Sequence, residues 1–246
     1  MVHTRETRAA ASEIKFLIPR ALAPRIRDWA RQHLQADPHG GGPFADEYDT
    51  TSLYFDTRHF DVFHRRGSFA RAKYRVRRYG DSDVVFLERK LRKPDLLIKR
   101  RTVASLGCLA RLQQGELDRG WDGAWFQRRL MMRKLRPACQ VSYHRTARVV
   151  MCPEGLARLT LDGALRASSI TEPAFAGRDG VAFHEAHMIL ELKYRVRVPA
   201  LFRQLVEEFG LERAPASKYR LAMAALGHVV ASDEPDLRED SAATYV

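Results

Sequence analysis

The sequence predicts an α+β chain built on one antiparallel barrel of about eight strands, flanked and plugged by helices. Two observations carry that reading. Segments of period-2 alternation dominate the chain between its two ends, and several of them place cations on a single face. Helical periodicity is confined to four stretches that separate or follow the strands. No linker divides the strands into independent sets, so residues 12–227 read as one domain, with 1–11 and 228–246 as polar, flexible tails.

The strands are expected at 12–18, 51–56, 70–79, 84–91, 97–103, 140–149, 158–165 and 188–198, several of them rich in Val, Ile and aromatic residues. The first helix is expected over 19–35, where Leu22, Ile26 and Trp29 share a side. Three more follow at 121–134, 199–209 and 217–226. The glycine-rich stretch DPHGGGPFAD lacks a following GK[ST], so it reads as a loop rather than a phosphate cradle.

Composition narrows the function classes. Lys and Arg number 42 against 30 Asp and Glu, giving a formal charge of +12 and a pI near 10.0. A polyanionic partner follows from that balance, whether nucleic acid, nucleotide, polyphosphate or anionic lipid. Cys108, Cys139 and Cys152 are odd in number and show no CxxC spacing, which argues for free thiols and against a disulfide framework or a zinc site. No apolar run approaches the ~20 residues of a membrane span, and the N-terminus lacks a signal-peptide core. A soluble, cytoplasmic protein is expected.

The faces of the strands are more informative than the totals. FARAKYRVRRYG puts Arg71, Lys73, Arg75 and Arg77 at alternate positions, and alternate residues of a strand share a face. Glu13 and Lys15 do the same in EIKFLI, Glu88 and Lys90 in VFLERK, and Lys99 and Arg101 in IKRRTV. Further along, Arg158, Thr160 and Asp162 share a face, as do Glu191, Lys193, Arg195 and Arg197. An ordinary solvated sheet face mixes charges of both signs, whereas these faces hold roughly ten cations against about four carboxylates. The polar face is therefore expected to be the interior of a wide barrel, a cationic lumen neutralised by a bound polyanion, with the apolar face covered by helices. Nucleic acid is disfavoured, because few aromatics interleave with the inward cations.

The residues EIK at 13–15, SLYFDT at 52–57, KYRVRRYG at 73–80, FLERK at 86–90 and IKRR at 98–101 resemble the VTC domain. So do YHRTAR at 143–148, RLTLD at 158–162, ILELKY at 189–194 and SKY at 217–219. This is the polyphosphate polymerase module of the vacuolar transporter chaperone, within the triphosphate tunnel metalloenzyme superfamily. The resemblance implies an eight-stranded antiparallel tunnel, a Mn²⁺ or Mg²⁺ ion, and transfer of the ATP γ-phosphoryl group onto inorganic polyphosphate. Other nucleoside triphosphates, triphosphate and pyrophosphate are further partners that it implies.

Carried over residue by residue, the resemblance makes Arg75, Arg77, Lys99 and Arg145 catalytic. Lys15, Lys73, Lys90, Arg158, Lys193, Ser217 and Lys218 bind phosphate, and Glu191 is the metal ligand. Glu13, Glu88 and Asp162 are candidate supporting carboxylates; Glu13 and Glu88 are equally readable as ion-pair partners, and Asp162 as either a second metal ligand or an ion-pair partner. Related tunnel phosphatases carry ExExK on the first strand; here Ala11 replaces the first Glu, which favours the polymerase and leaves a triphosphate or polyphosphate hydrolase, or a non-catalytic polyphosphate-binding module, as alternatives. Arg71, Arg195 and Arg197 read as surface charge near the mouth, and Tyr54 and Phe55 as core. His144 lies on the face opposite Arg145.

Overall fold

A computed structural model describes residues 12–93 and 96–229. The tails expected at 1–11 and, apart from its first two residues, at 228–246 lie outside the described residues. In chain order the elements are β1 Ser12–Pro19, α1 Ala23–His33, β2 Gln35–Ala36, β3 Glu47–Asp56, β4 Ala72–Tyr79, β5 Val84–Lys93 and β6 Leu96–Ser105. There follow α2 Ala124–Met132, β7 Arg136–Cys152, β8 Gly155–Ser169, β9 Val181–Ala182, β10 His187–Tyr194, α3 Ala200–Glu208 and α4 Lys218–Ala225.

All eight expected strands are present and pair antiparallel in the order β1-β10-β8-β7-β3-β4-β5-β6, with short β2 against β7 and β9 against β8. The hydrogen-bonded ladder is open between β1 and β6, a departure from the closed barrel expected. The outer edge of β1 is occupied by the segment leading into α4: Ala214 N donates to Lys15 O, and Phe16 bridges to Arg213. At Lys15 and Phe16 the edge is therefore covered by this segment, which limits further strand pairing there.

The alternation of each strand is resolved as the charge pattern predicts, with the apolar face outward. On β1, Ile14, Phe16 and Ile18 are buried against Ile26, Trp29 and Ala30 of α1 and Phe202 and Leu205 of α3, together with Leu159 and Leu161 of β8 and Leu190 and Leu192 of β10. A second apolar cluster joins Leu53, Phe55, Tyr74, Val76, Val85 and Leu87 to Leu109 and Leu112 and to Phe126 and Leu130 of α2. Each such aliphatic or aromatic side chain contributes roughly 1.5–3 kcal/mol by burial. These layers fix the opposite, polar face inward, because a one-residue slip would exchange the two sets.

Two expected strand ends are corrected. Arg71 lies in the turn before β4 and is exposed, and β10 stops at Tyr194, so Arg195, Val196 and Arg197 are exposed outside it. Arg197 pairs with Glu154 at 3.0 Å, and Pro199, which cannot donate to a ladder, heads α3. No helix among the described residues is long and apolar enough to cross a membrane.

Candidate functional site

Strand register aligns the inward side chains in rows. Tyr54, Arg75, Glu88 and Arg101 are opposed in turn across β3, β4, β5 and β6. One row along, Lys73, Lys90 and Lys99 are opposed across β4, β5 and β6. On the other flank Glu13, Lys193 and Arg158 form a row across β1, β10 and β8, beside Lys15, Glu191 and Thr160. Three directly opposed lysines are a like-charge arrangement that an apolar or mixed row would avoid. Carboxylates reach it at two points: Glu13 Oε1 lies 2.6 Å from Lys90 Nζ, and Glu88 Oε1 2.8 Å from Lys99 Nζ.

These rows surround a cavity of about 250 Å³ lined by ten cations, Lys15, Lys73, Arg75, Arg77, Lys90, Lys99, Arg145, Arg158, Lys193 and Lys218. Three carboxylates line it among the described residues, Glu13, Glu88 and Glu191. Ser217 lines it too, so every predicted site residue except Asp162 faces one space. Asp162 is buried beneath that lining, with its oxygens taken by Arg145 and by Lys218 Nζ at 2.6 Å. Of its two readings, the geometry is that of an ion-pair partner.

Glu88 is a hub for three cations. Oε2 accepts from Arg75 Nε at 2.6 Å, and Oε1 lies 2.6 Å from Arg101 Nε and 2.8 Å from Lys99 Nζ. Burial pushes its carboxyl up, but the surrounding Arg75, Lys99, Arg77 and Arg101 charges outweigh that and hold it well below the usual range. Burial lowers the Lys99 ammonium to about 8, against the opposing pull of Glu88. Arg77 is oriented differently, donating from Nε to Ser52 Oγ at 3.1 Å.

The N-terminus of α4 plugs the space. Ser217 caps the helix by accepting from Arg220 N, and its hydroxyl also accepts from Lys73 Nζ at 3.2 Å. Lys15 Nζ donates to Ala216 O at 3.2 Å. Lys218 reaches Glu191 at 3.2 Å, and Lys193 reaches the other Glu191 oxygen at 2.9 Å. Burial raises the Glu191 carboxyl, yet Lys193, Lys218 and Lys15 hold it well below the usual range, so it is an anion. Tyr219 donates to buried Asp56, which also accepts from Thr57, Val62 and Phe63 backbone N–H groups, and this anchors the helix.

Several contributors escaped the sequence reading. Arg158 is held by Asp37 at 2.9 Å and by the Tyr48 hydroxyl at 2.7 Å. Tyr54 is buried as expected, but it also lines the cavity, together with Tyr143 and Tyr219. Arg145, Arg77 and Lys218 all lie over the Tyr143 ring, at 5.2, 5.9 and 5.0 Å. The signal for Tyr54 was its period-2 spacing from Ser52; its aromatic character masked it. Tyr79, four residues along β4 from Arg75 and opposite Thr50, accepts from Arg101 Nη2 at 3.2 Å. Burial would raise its phenol, but Arg77 and Arg101 draw it down to about 7.

A divalent ion would find Glu191 and, on the adjacent strand, Glu13. No cluster of three or more His, Cys, Asp or Glu suited to a metal occurs among the described residues. That donor set fits a hard cation that completes its shell with phosphate oxygens and water, as Mg²⁺ commonly does.

The sequence matches the VTC domain family over residues 10–227. Among solved structures, a proposed adenylate cyclase from Bacillus halodurans superposes with a TM-score of 0.54 at 15% identity, covering 85% of this chain and 94% of that one. A proposed adenylyl cyclase from Hippeastrum, described as having a dominant triphosphatase activity, gives 0.52 at 16% identity, covering 89% and 97%. At such identity these likenesses establish a shared fold alone. No curated protein matches the sequence.

Proposed function

This chain belongs to the VTC domain family, and from that premise we propose that it transfers phosphoryl groups within its cationic lumen, as an ATP-dependent polyphosphate polymerase. The observation that carries the reading is the lining of ten cations against three carboxylates, with Lys73, Lys90 and Lys99 opposed in one row. Like charges so placed are relieved by a ligand carrying several negative charges in line. A phosphate chain is such a ligand.

In this reading an oxygen of the acceptor's terminal phosphate attacks the ATP γ-phosphorus, the bond to the β–γ bridging oxygen breaks, and ADP leaves. The acceptor oxygen is already anionic, so no general base is required. The transition state spreads charge over the equatorial oxygens, and Arg75, Arg77, Lys99 and Arg145 would stabilise it as preorganised donors. Lys15, Lys73, Lys90, Arg158, Lys193 and Lys218 would hold donor and product phosphates, with the Ser217 hydroxyl donating beside them. Glu191 would hold Mn²⁺ or Mg²⁺, whose chemistry is to neutralise and orient the donor phosphates.

Hydrolysis is the competing reading, favoured by the triphosphatase activity described for the Hippeastrum protein of this fold. It needs a carboxylate to orient water. Both Glu88 oxygens are engaged by cations, which leaves Glu13, itself bound to Lys90. The two readings separate on incubation with ATP and Mn²⁺: long chains on a gel support the polymerase, phosphate release alone supports the hydrolase, and binding without turnover leaves a polyphosphate-binding module.

A further inference from the structure

On the outer face of the sheet a second cavity of about 240 Å³ opens between α1 and the β8–β10 region. It shares no lining residue with the lumen. Its wall carries Arg20, Arg27, Arg166, His184 and His187, with His144 at one side, while Leu165 and Met188 supply an apolar floor. His144 is already engaged by Asp49 at 2.9 Å and Glu47 at 3.4 Å, and Glu185 is the one carboxylate in the wall.

Two further features mark the place. Arg27 Nε and His184 Nε2 are shielded from solvent and have no hydrogen-bond partner among the described residues, a desolvation cost that a ligand could offset. Ala164 and His184, both in the wall, adopt φ of 51° and 58°, a left-handed region that non-glycine residues rarely enter. Strain of this kind clusters at binding sites. Ala164 lies within the irregularity where β7 and β8 shift register, so the hollow is built by the fold.

We propose that this outer cavity binds a small organic phosphate, its phosphoryl group held by Arg20, Arg27, Arg166 and the two histidines and its apolar body resting on Leu165 and Met188. Three guanidinium groups favour a phosphoryl over a carboxylate head, because their planar forks need more acceptor oxygens than a carboxylate offers. The site is independent of the lumen and of the reaction proposed there.

The probe is phenyl phosphate, titrated into the whole chain at physiological salt while histidine ring protons are followed by NMR. Saturable shifts of His184 and His187 are expected. The double variant Arg20→Ala/Arg166→Ala, at two exposed positions, should weaken binding by about tenfold or more. Glu185→Gln should tighten it, and Arg75→Ala, in the lumen, should leave it unchanged. Absence of saturable shifts, full affinity in the double variant, weaker binding by Glu185→Gln, or loss of the shifts in Arg75→Ala would each overturn the proposal.

Discussion

Asp162 accepts two hydrogen bonds from the guanidinium of Arg145, from Nε at 2.6 Å and Nη2 at 2.8 Å, and neither side chain is more than 5% exposed. The same carboxylate pairs with Lys218, so one buried anion organises two lumen cations. Asp162→Asn would leave Arg145 beside Lys218, with Glu191 on Lys218 as the remaining countercharge. Removing one partner of a buried pair costs about 3–5 kcal/mol. The variant should unfold at markedly lower temperature, and tripolyphosphate should recover part of the loss by binding the folded state. Differential scanning calorimetry with and without tripolyphosphate checks both halves; an unchanged melting temperature would mean that the pair is not what holds α4 and β7 together.

Glu88 offers the opposite experiment. It pairs with Arg75, Lys99 and Arg101, and an incoming phosphate must compete with it for those cations. Glu88→Gln should therefore destabilise the free protein while tightening tripolyphosphate by about tenfold at low salt, a gain that shrinks as salt rises. Calorimetric titration at two ionic strengths reads this directly.

Arg75 and Arg77 neighbour each other on β4 but are held differently, one by Glu88 and the other by Ser52. Each truncated to Ala should lower turnover by roughly 10²-fold or more, the worth of a preorganised donor at the transition state. Arg195→Ala, exposed beyond the end of β10, should leave turnover of ATP unchanged and weaken only long-chain binding in a salt-dependent way. Steady-state kinetics beside filter binding of long polyphosphate separates the two effects.

The inward face was legible because alternation on a strand is binary: once Ile14, Phe16 and Leu87 are assigned to the outer core, Lys15 and Glu88 have nowhere else to point. The helices were legible by the same logic at a longer period. What the sequence did not disclose depends on register and chain ends. Nothing local pairs Arg158 with Asp37 and Tyr48, which come from segments over a hundred residues away. The open edge at β1 is a competition between β6 and the 213–214 segment, settled by tertiary packing. The β10 pattern of alternating Arg and Val continues past Tyr194, so periodicity alone overran the strand.

Glu191 is the test of metal dependence. With Lys193 and Lys218 on its oxygens it is an anion whose neighbours compete with any ion. Glu191→Gln preserves shape and removes the charge, so Mn²⁺-dependent turnover should fall to background while tripolyphosphate still binds at least as tightly as before. Turnover that persists with an undiminished metal requirement would move the ion to other ligands.

Proton linkage should drive stability and affinity in opposite directions. Burial lowers Lys99 to about 8, below the ordinary lysine range. Arg77 and Arg101, against burial, draw Tyr79 to about 7, below the ordinary phenol range. For both groups the unfolded chain keeps a proton that the folded chain has released, across pH 7–10 for Tyr79 and upward from about 8 for Lys99. Stability rises with pH wherever the unfolded state binds more protons, so each group makes the unliganded fold more stable as pH climbs through its window. Anion binding has the reverse sign, because the lumen loses an ammonium charge and a phenolate forms behind its Arg77. Tripolyphosphate affinity should fall from pH 6 to pH 10 in two steps, near 7 and near 8. Tyr79→Phe should remove the first step, and Lys99→Arg, whose guanidinium stays charged, should remove the second. Melting temperature and dissociation constant measured over the same pH series provide the check; affinity that is flat in the unmodified chain, or steps that survive both substitutions, would assign the titration to other groups.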